Sequence, residues 1–193
     1  MRFLPLIVAF LLAACGNDAP KANVNIGSIA PTFQTFRTDG GATHFPAAYF
    51  GKPLVVRFWA DWCKYCEGEM KAIEAVYQRH KGKGLEVLAI NAGQDKATID
   101  AFIKKIGVSY PALLDEKSTI ARSYGVVGLP TTFFIDGKGI VRGKIVGEAD
   151  EAVAGAEADL VARLHRDVAA GLDEVRPGVE RHAAVIAGLV GED

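Results

Sequence analysis

Two cysteines three positions apart, in the octet Trp59-Ala60-Asp61-Trp62-Cys63-Lys64-Tyr65-Cys66, are the residues of this sequence best suited to covalent chemistry. A C-x-x-C pair can cycle between dithiol and disulfide, and its reactivity follows the thiolate content of the attacking sulfur. An apolar run from Leu54 to Trp59 delivers the pair, and Met70, Ile73 and Tyr77 recur after it at i, i+3 and i+7. The run reads as a buried strand of a parallel sheet and the recurrence as an amphipathic helix, which puts the cysteines at a strand-to-helix junction. There the unsatisfied N–H groups and the positive end of the helix dipole lower the pKa of the more N-terminal sulfur and make Cys63 the nucleophile. Cys66, one turn further in, is placed to resolve a mixed disulfide. An inert structural bridge is the weaker reading, because a ring closed over so few residues contributes little loop entropy.

The elements that must hold this junction are legible on either side of it. Phe33 to Phe36 followed by Asp39-Gly40-Gly41 reads as a short strand and a hairpin turn that cap a sheet, and Phe45 to Lys52 as a loop or single helical turn. Beyond the helix, Lys81-Gly82-Lys83-Gly84 breaks the pattern, and Leu85 to Ile90 is a second apolar run that pairs parallel with the first in a β-α-β unit. Asn91 to Asp95 is then a loop on the same sheet edge as Cys63, where ligand-contacting groups of open α/β sheets collect. A helix over 96–106 turns Ile99, Phe102, Ile103 and Ile106 inward and stops at Gly107, and a short extended piece over 110–114 and a brief helix over 118–124 follow. Pro130, directly before Thr131-Thr132-Phe133-Phe134-Ile135, suits the first residue of a strand, and Asp136-Gly137-Lys138-Gly139 turns it back into Ile140 to Val146. The sum is an α/β fold with a mixed central sheet flanked by helices. Val153, Leu160, Leu164 and Val168 form a stripe that covers the sheet, and after Gly171 and Pro177 a second amphipathic helix makes a C-terminal helical extension over 171–193.

The N-terminus is a targeting segment by pattern. Arg2 is followed by an apolar run too short to span a bilayer, and Leu12-Ala13-Ala14-Cys15 resembles a bacterial lipobox. That likeness implies removal of residues 1–14, lipid modification of Cys15, a flexible tether over 15–26 and a domain over 27–170 held outside the cytoplasm, in the periplasm or on the outer face of the cytoplasmic membrane. A formal charge of −1 over 193 residues, with no basic run interleaved with aromatics, excludes nucleic acid as the partner. No serine, histidine and acid form a hydrolytic triad, and His44, His80, His165 and His182 are scattered too widely for a zinc site with the cysteines. No metal or cofactor is assigned. The alternative that uses the same two sulfurs is a Cu(I) carrier, since soft thiolates suit that ion.

The two motifs together, W-A-D-W-C-K-Y-C and, some way downstream, G-L-P-T-T-F-F-I-D from Gly128 to Asp136, resemble the thioredoxin superfamily, and within it the extracytoplasmic TlpA and ResA group. The likeness covers about Gly27 to Leu164. It implies a three-layer thioredoxin-like fold, a cis Pro130 packed against the disulfide, and a Leu129 whose backbone pairs with an extended substrate segment by strand addition. It further implies that Trp62 flanks the exposed sulfur, that the substrates are exported proteins carrying thiols or disulfides, such as apocytochrome c or metal-site proteins, and that electrons come from a membrane donor. The opening Ala30-Pro31-Thr32-Phe33 also resembles peroxiredoxins, which lack the W-C-x-x-C frame.

This chain departs from the family pattern in four places. Arg57 stands where thioredoxin has a buried acid, and its fixed charge is expected to favour a nearby thiolate unless it reaches a surface partner instead. Gln94 stands at the loop position read as the group's functional glutamate, so no proton-accepting role is carried over to it. Lys64-Tyr65 replaces the usual X-Pro between the cysteines, adding a positive charge and freeing the turn. Met70-Lys71 follows Glu69 where a proline is frequent, which removes the cause of a helix kink.

Overall fold

The computed structural model describes residues 24–148 and, beyond them, Ala152, Val153, Gly155, Ala156 and Asp159, which are helical. Phe33–Phe36 (β1) and Ala42–Phe45 (β2) form an antiparallel hairpin, and Ala47–Tyr49 a single 3-10 turn. The remaining strands are Leu54–Trp59 (β3), Glu86–Ala92 (β4), Ala112–Asp115 (β5), Thr131–Ile135 (β6) and Val141–Val146 (β7). Between them run Cys66–His80 (α1), Lys96–Ile106 (α2) and Thr119–Ser123 (α3). The five strands lie in the order β5-β4-β3-β6-β7, with β3, β4 and β5 parallel and β6 and β7 antiparallel to their neighbours. This is the mixed α/β sheet expected of a thioredoxin-like fold.

β3 is central because every one of its six residues is buried, a pattern only a strand covered on both faces can have. Alternation along it divides the core. Val55 and Trp59 face Met70, Ile73 and Val76 of α1 and Ile99, Phe102 and Ile106 of α2. Leu54, Val56 and Phe58 face the hairpin and α3, where Phe33, Phe45, Tyr124 and Phe133 build an aromatic cluster. The predicted helix over 96–106 is observed with those bounds for local reasons. Asp95 accepts a hydrogen bond from the Thr98 N–H at 2.8 Å, and Gly107 takes the left-handed conformation (φ 73°) that ends the helix. α1 runs unbroken over its 15 residues, as expected without the proline.

The N-terminal segment differs from the expected tether. Val24 is buried, its carbonyl accepts from Lys144 Nζ at 3.3 Å, and Gly27 N donates to Val141 O at 2.8 Å, so the packed region reaches back into the stretch read as flexible. Residues 27–30 pair through three backbone bonds with Gly139 and Val141, the turn into β7 and its first residue, while Arg37 bridges to Leu113 and Thr38 N donates to Ala112 O on β5. One continuous segment therefore covers part of both sheet edges, which blunts the pairing hazard of exposed strands. Of the predicted C-terminal stripe, Val153 is helical and exposed; Leu160, Leu164, Val168, the extension over 171–193 and the Cys15 motif lie outside the described residues. No helix among the described residues is long and apolar enough to cross a membrane.

Candidate active site

Trp59 ends β3 in the core, and the chain turns through Ala60 to Lys64 before α1 begins at Cys66. Cys63 and Cys66 are joined as a disulfide with their Cα atoms 5.4 Å apart. The two sulfurs are not equivalent: Cys63 is 7% exposed and Cys66 fully buried. Tyr65 occupies the N-cap without a side-chain cap bond, so the N-cap side chain does not satisfy the positive helix end on which Cys63 sits. Around it Trp62 is 69% exposed, Tyr65 is exposed, and Lys64 Nζ lies 5.1 Å from the Tyr65 ring centre. An open cleft of about 570 Å³ leads from Cys63 to α2, between Trp62 and Lys64 on one side and Phe102 and Lys105 on the other.

Pro130 follows a cis peptide bond after Leu129 and precedes β6. Leu129 packs against the core clusters on both faces, while Val127 just before it stands almost wholly in solvent. The register pairs Phe58 with Thr131 and Arg57 with Thr132, which brings the Leu129–Pro130 segment to the end of β3 that carries the cysteines. The two motifs, distant in sequence, thus meet at one edge of the sheet.

Arg57 and Gln94 both have defined partners. Arg57 does not reach the surface. Facing the helix side of β3, its Nη1 donates to Glu69 Oε1 at 2.5 Å and to Thr132 Oγ1 at 2.8 Å, and both charged side chains are sealed from solvent. Burial pushes the guanidinium down from its ordinary value, against the pull of Glu69. The expectation that Arg57 adds an uncompensated positive charge near the thiolate is corrected: the carboxylate of Glu69 balances it. Glu69, named from sequence only as the residue before Met70-Lys71, is the residue that reading missed. The signal was present, since strand alternation puts Arg57 on the helix side and Glu69 lies one turn after Cys66 on the same helix face.

Gln94 is a loop clamp. Its Oε1 accepts from the Asp61 N–H and from Asn91 Nδ2, both at 2.9 Å, and its Nε2 donates to the Asp61 carboxylate. It ties the residue two before Cys63 to the end of β4. The other first-turn acid, Glu67, is held at a pKa of about 2 by hydrogen bonds from Lys105 and then Lys71. Both acids that would oppose a thiolate at this helix end are thereby matched by cations, leaving the helix dipole and Lys64 as the terms favouring it.

Comparison with known proteins agrees with this geometry. The AhpC/TSA family model matches residues 26–144. The chain is 36% identical over 148 residues to the thiol-disulfide oxidoreductase ResA of Geobacillus thermodenitrificans, covering 74% of this chain and 84% of that one. Against ResA of Bacillus subtilis the identity is 33% over 135 residues, covering 70% and 75%. A solved thiol:disulfide interchange protein of the thioredoxin family from Chlorobium tepidum superposes with a TM-score of 0.64 at 26% identity, over 70% of this chain and 97% of that one. A disulfide at an uncapped helix start, opposite a cis-proline loop, on a sheet shared with these relatives, places the chain in the AhpC/TSA family and, within its thioredoxin-like members, among the ResA-type thiol-disulfide oxidoreductases.

Proposed function

We propose that Cys63 and Cys66 are the catalytic pair of an extracytoplasmic, membrane-anchored reductase that acts on disulfides of particular exported proteins. In the reducing direction the Cys63 thiolate attacks one sulfur of the substrate disulfide, forming a Cys63–substrate bond and expelling the other sulfur as a thiolate. Cys66 then loses its proton and attacks the Cys63 sulfur, which closes the Cys63–Cys66 disulfide and frees the second substrate thiolate. Two electrons pass to the substrate, and a dithiol donor in the membrane restores the pair by the same steps in reverse. The observation that carries the assignment of roles is the difference in exposure of the two sulfurs at the uncapped start of α1.

Trp62 and Tyr65 offer exposed apolar surface beside Cys63, and Leu129 and Pro130 lie across from it with a backbone suited to an extended segment. Substrates of this chemistry include apocytochrome c and proteins whose metal-site cysteines must be kept reduced. The lipobox supports anchorage through Cys15, which would keep the domain near its donor at high effective concentration.

Alkylation of the reduced protein at mildly acidic pH, followed by peptide mapping, is expected to label Cys63 first; first labelling of Cys66 overturns the assignment. Cys66→Ser is expected to accumulate mixed disulfides with its substrates when expressed with its signal segment, and Cys63→Ser to accumulate none. Cys15→Ser is expected to release the protein from the membrane fraction, and unchanged attachment rules out the anchor.

A further inference from the structure

The least ordinary feature of the interior is the ion pair behind the disulfide. The Arg57 and Glu69 side chains are 0% and 1% exposed, linked at 2.5 Å, and yet Arg57 Nε and Nη2 and Glu69 Oε2 have no hydrogen-bond partner among the described residues. Burying charge at such incomplete satisfaction is costly, and a hydrophobic pair in its place is often no less stable. Packing alone therefore gives a poor reason for it. Its position suggests another, because Glu69 is one helical turn beyond Cys66 and on the same inward face.

We propose that Arg57 is a positioning residue that holds Glu69 as a permanent carboxylate, and so keeps the interior acid behind Cys66 from exchanging protons with the cysteine pair. The inference rests on that pair being the redox centre. A carboxyl at this depth without a cation is driven toward its neutral form and titrates well above the ordinary carboxylate range. It would then be an acid able to give or take the proton that Cys66 must lose to resolve a mixed disulfide. The guanidinium beside it does not deprotonate in a protein, so the carboxylate stays charged and the two charges cancel toward Cys63. The proton of Cys66 leaves to solvent or to the departing substrate sulfur.

The other groups facing Arg57 leave this assignment intact. From α1 this is Glu69, one turn beyond Cys66; β4 presents Ala89 beside Arg57 and β6 presents Thr132. Tyr110, whose hydroxyl donates to Met70 O at 2.8 Å, is a further titratable neighbour among the described residues, and burial holds it neutral to high pH.

The test is the pH dependence of the alkylation rate of the fully reduced chain with iodoacetamide, read separately for each cysteine. The wild type is expected to show one ionisation for Cys63. Arg57→Met is expected to add a second, interacting ionisation at neutral to mildly alkaline pH, and to lower the Cys63 rate about tenfold relative to wild type only above that step, where the uncompensated carboxylate has formed and opposes the thiolate. Arg57→Met with Glu69→Gln should return to a single step, and Arg57→Lys should keep one throughout. A purely structural role would lower stability without adding an ionisation. If Arg57→Met does not fold, Glu69→Gln decides, because the unbalanced Arg57 must move the Cys63 ionisation to lower pH and raise its rate severalfold under acidic conditions. A wild-type profile with two coupled steps that Glu69→Gln reduces to one overturns the proposal, as does an unshifted Cys63 in Glu69→Gln. Alkylation reads charge whether or not a substrate is turned over, so failure of Cys66→Ser to trap a substrate would sink the redox reading and leave this measurement to be judged alone.

Discussion

At the scale of single residues, the site depends on how each charge near Cys63 is accounted for. Gln94 bonds to Asp61 through both ends of its amide, so Gln94→Glu exchanges a donor for a second carboxylate facing the first. The variant should lose about 1–2 kcal/mol in chemical unfolding, with part of the loss recovered as pH falls toward the ordinary carboxylate range, where protonation of one of the two facing acids removes their repulsion. Gln94→Ala should lose a similar amount without that recovery. The cysteine pair was legible in the sequence because its chemistry is local: spacing and a strand-to-helix junction suffice. Arg57 was legible as unusual but not as paired. Whether an arginine snorkels or is buried depends on a carboxylate arriving from another element, and hydropathy along one strand does not contain that information. Gln94 was legible as near the site for its place in a loop, while its role in fastening Asp61 depended on how two loops approach each other.

At the scale of elements, α1 and α2 are locked where the cleft opens between them. Glu67 on α1 joins Lys71 on its own helix and Lys105 on α2, at 2.9 and 2.6 Å. Its pKa is lowered from 4.5 to about 2, so this link is complete above about pH 4.5 and is lost as pH falls toward about 2. Glu67→Gln should therefore narrow the stability difference between neutral and acidic pH, and by little, because exposed pairs contribute weakly. The cap of α2 is a separate local term: Asp95 accepts from the Thr98 N–H, and Asp95→Ala should lower the unfolding midpoint at constant slope. The run of strands and helices from β3 to β7 followed from apolar period and turn residues. The covering of two sheet edges by residues 27–38 did not, because short bridges such as Ile29 to Ile140 join positions whose sequences carry no mutual signal.

At the scale of the whole molecule, two tyrosines tie the layers together. Tyr110 donates to Met70 O beneath α1, and Tyr124 donates to Pro31 O at 3.0 Å on the opposite face of the sheet. Burial raises both pKa values far above 10, so stability is unaffected by them below pH 10 and falls as pH rises beyond it, where only the unfolded chain ionises freely. Thermal melts should show an alkaline limb that flattens in Tyr124→Phe, even though that variant loses about 1 kcal/mol at neutral pH with its hydrogen bond.

The strap at the start of β7 gives the molecule a mechanical polarity. Its bonds, Gly27 N to Val141 O, Val141 N to Ser28 O and Ala30 N to Gly139 O, lie in series from the N-terminal side. A pull on the chain at Val24 directed away from the sheet loads them one after another, whereas the parallel strands that carry the cysteines share a load among several bonds at once. In a single-molecule experiment with the force applied at the N-terminus, the strap should peel at low force as a separate small extension. The disulfide and its facing proline loop should remain in register until the sheet itself gives way.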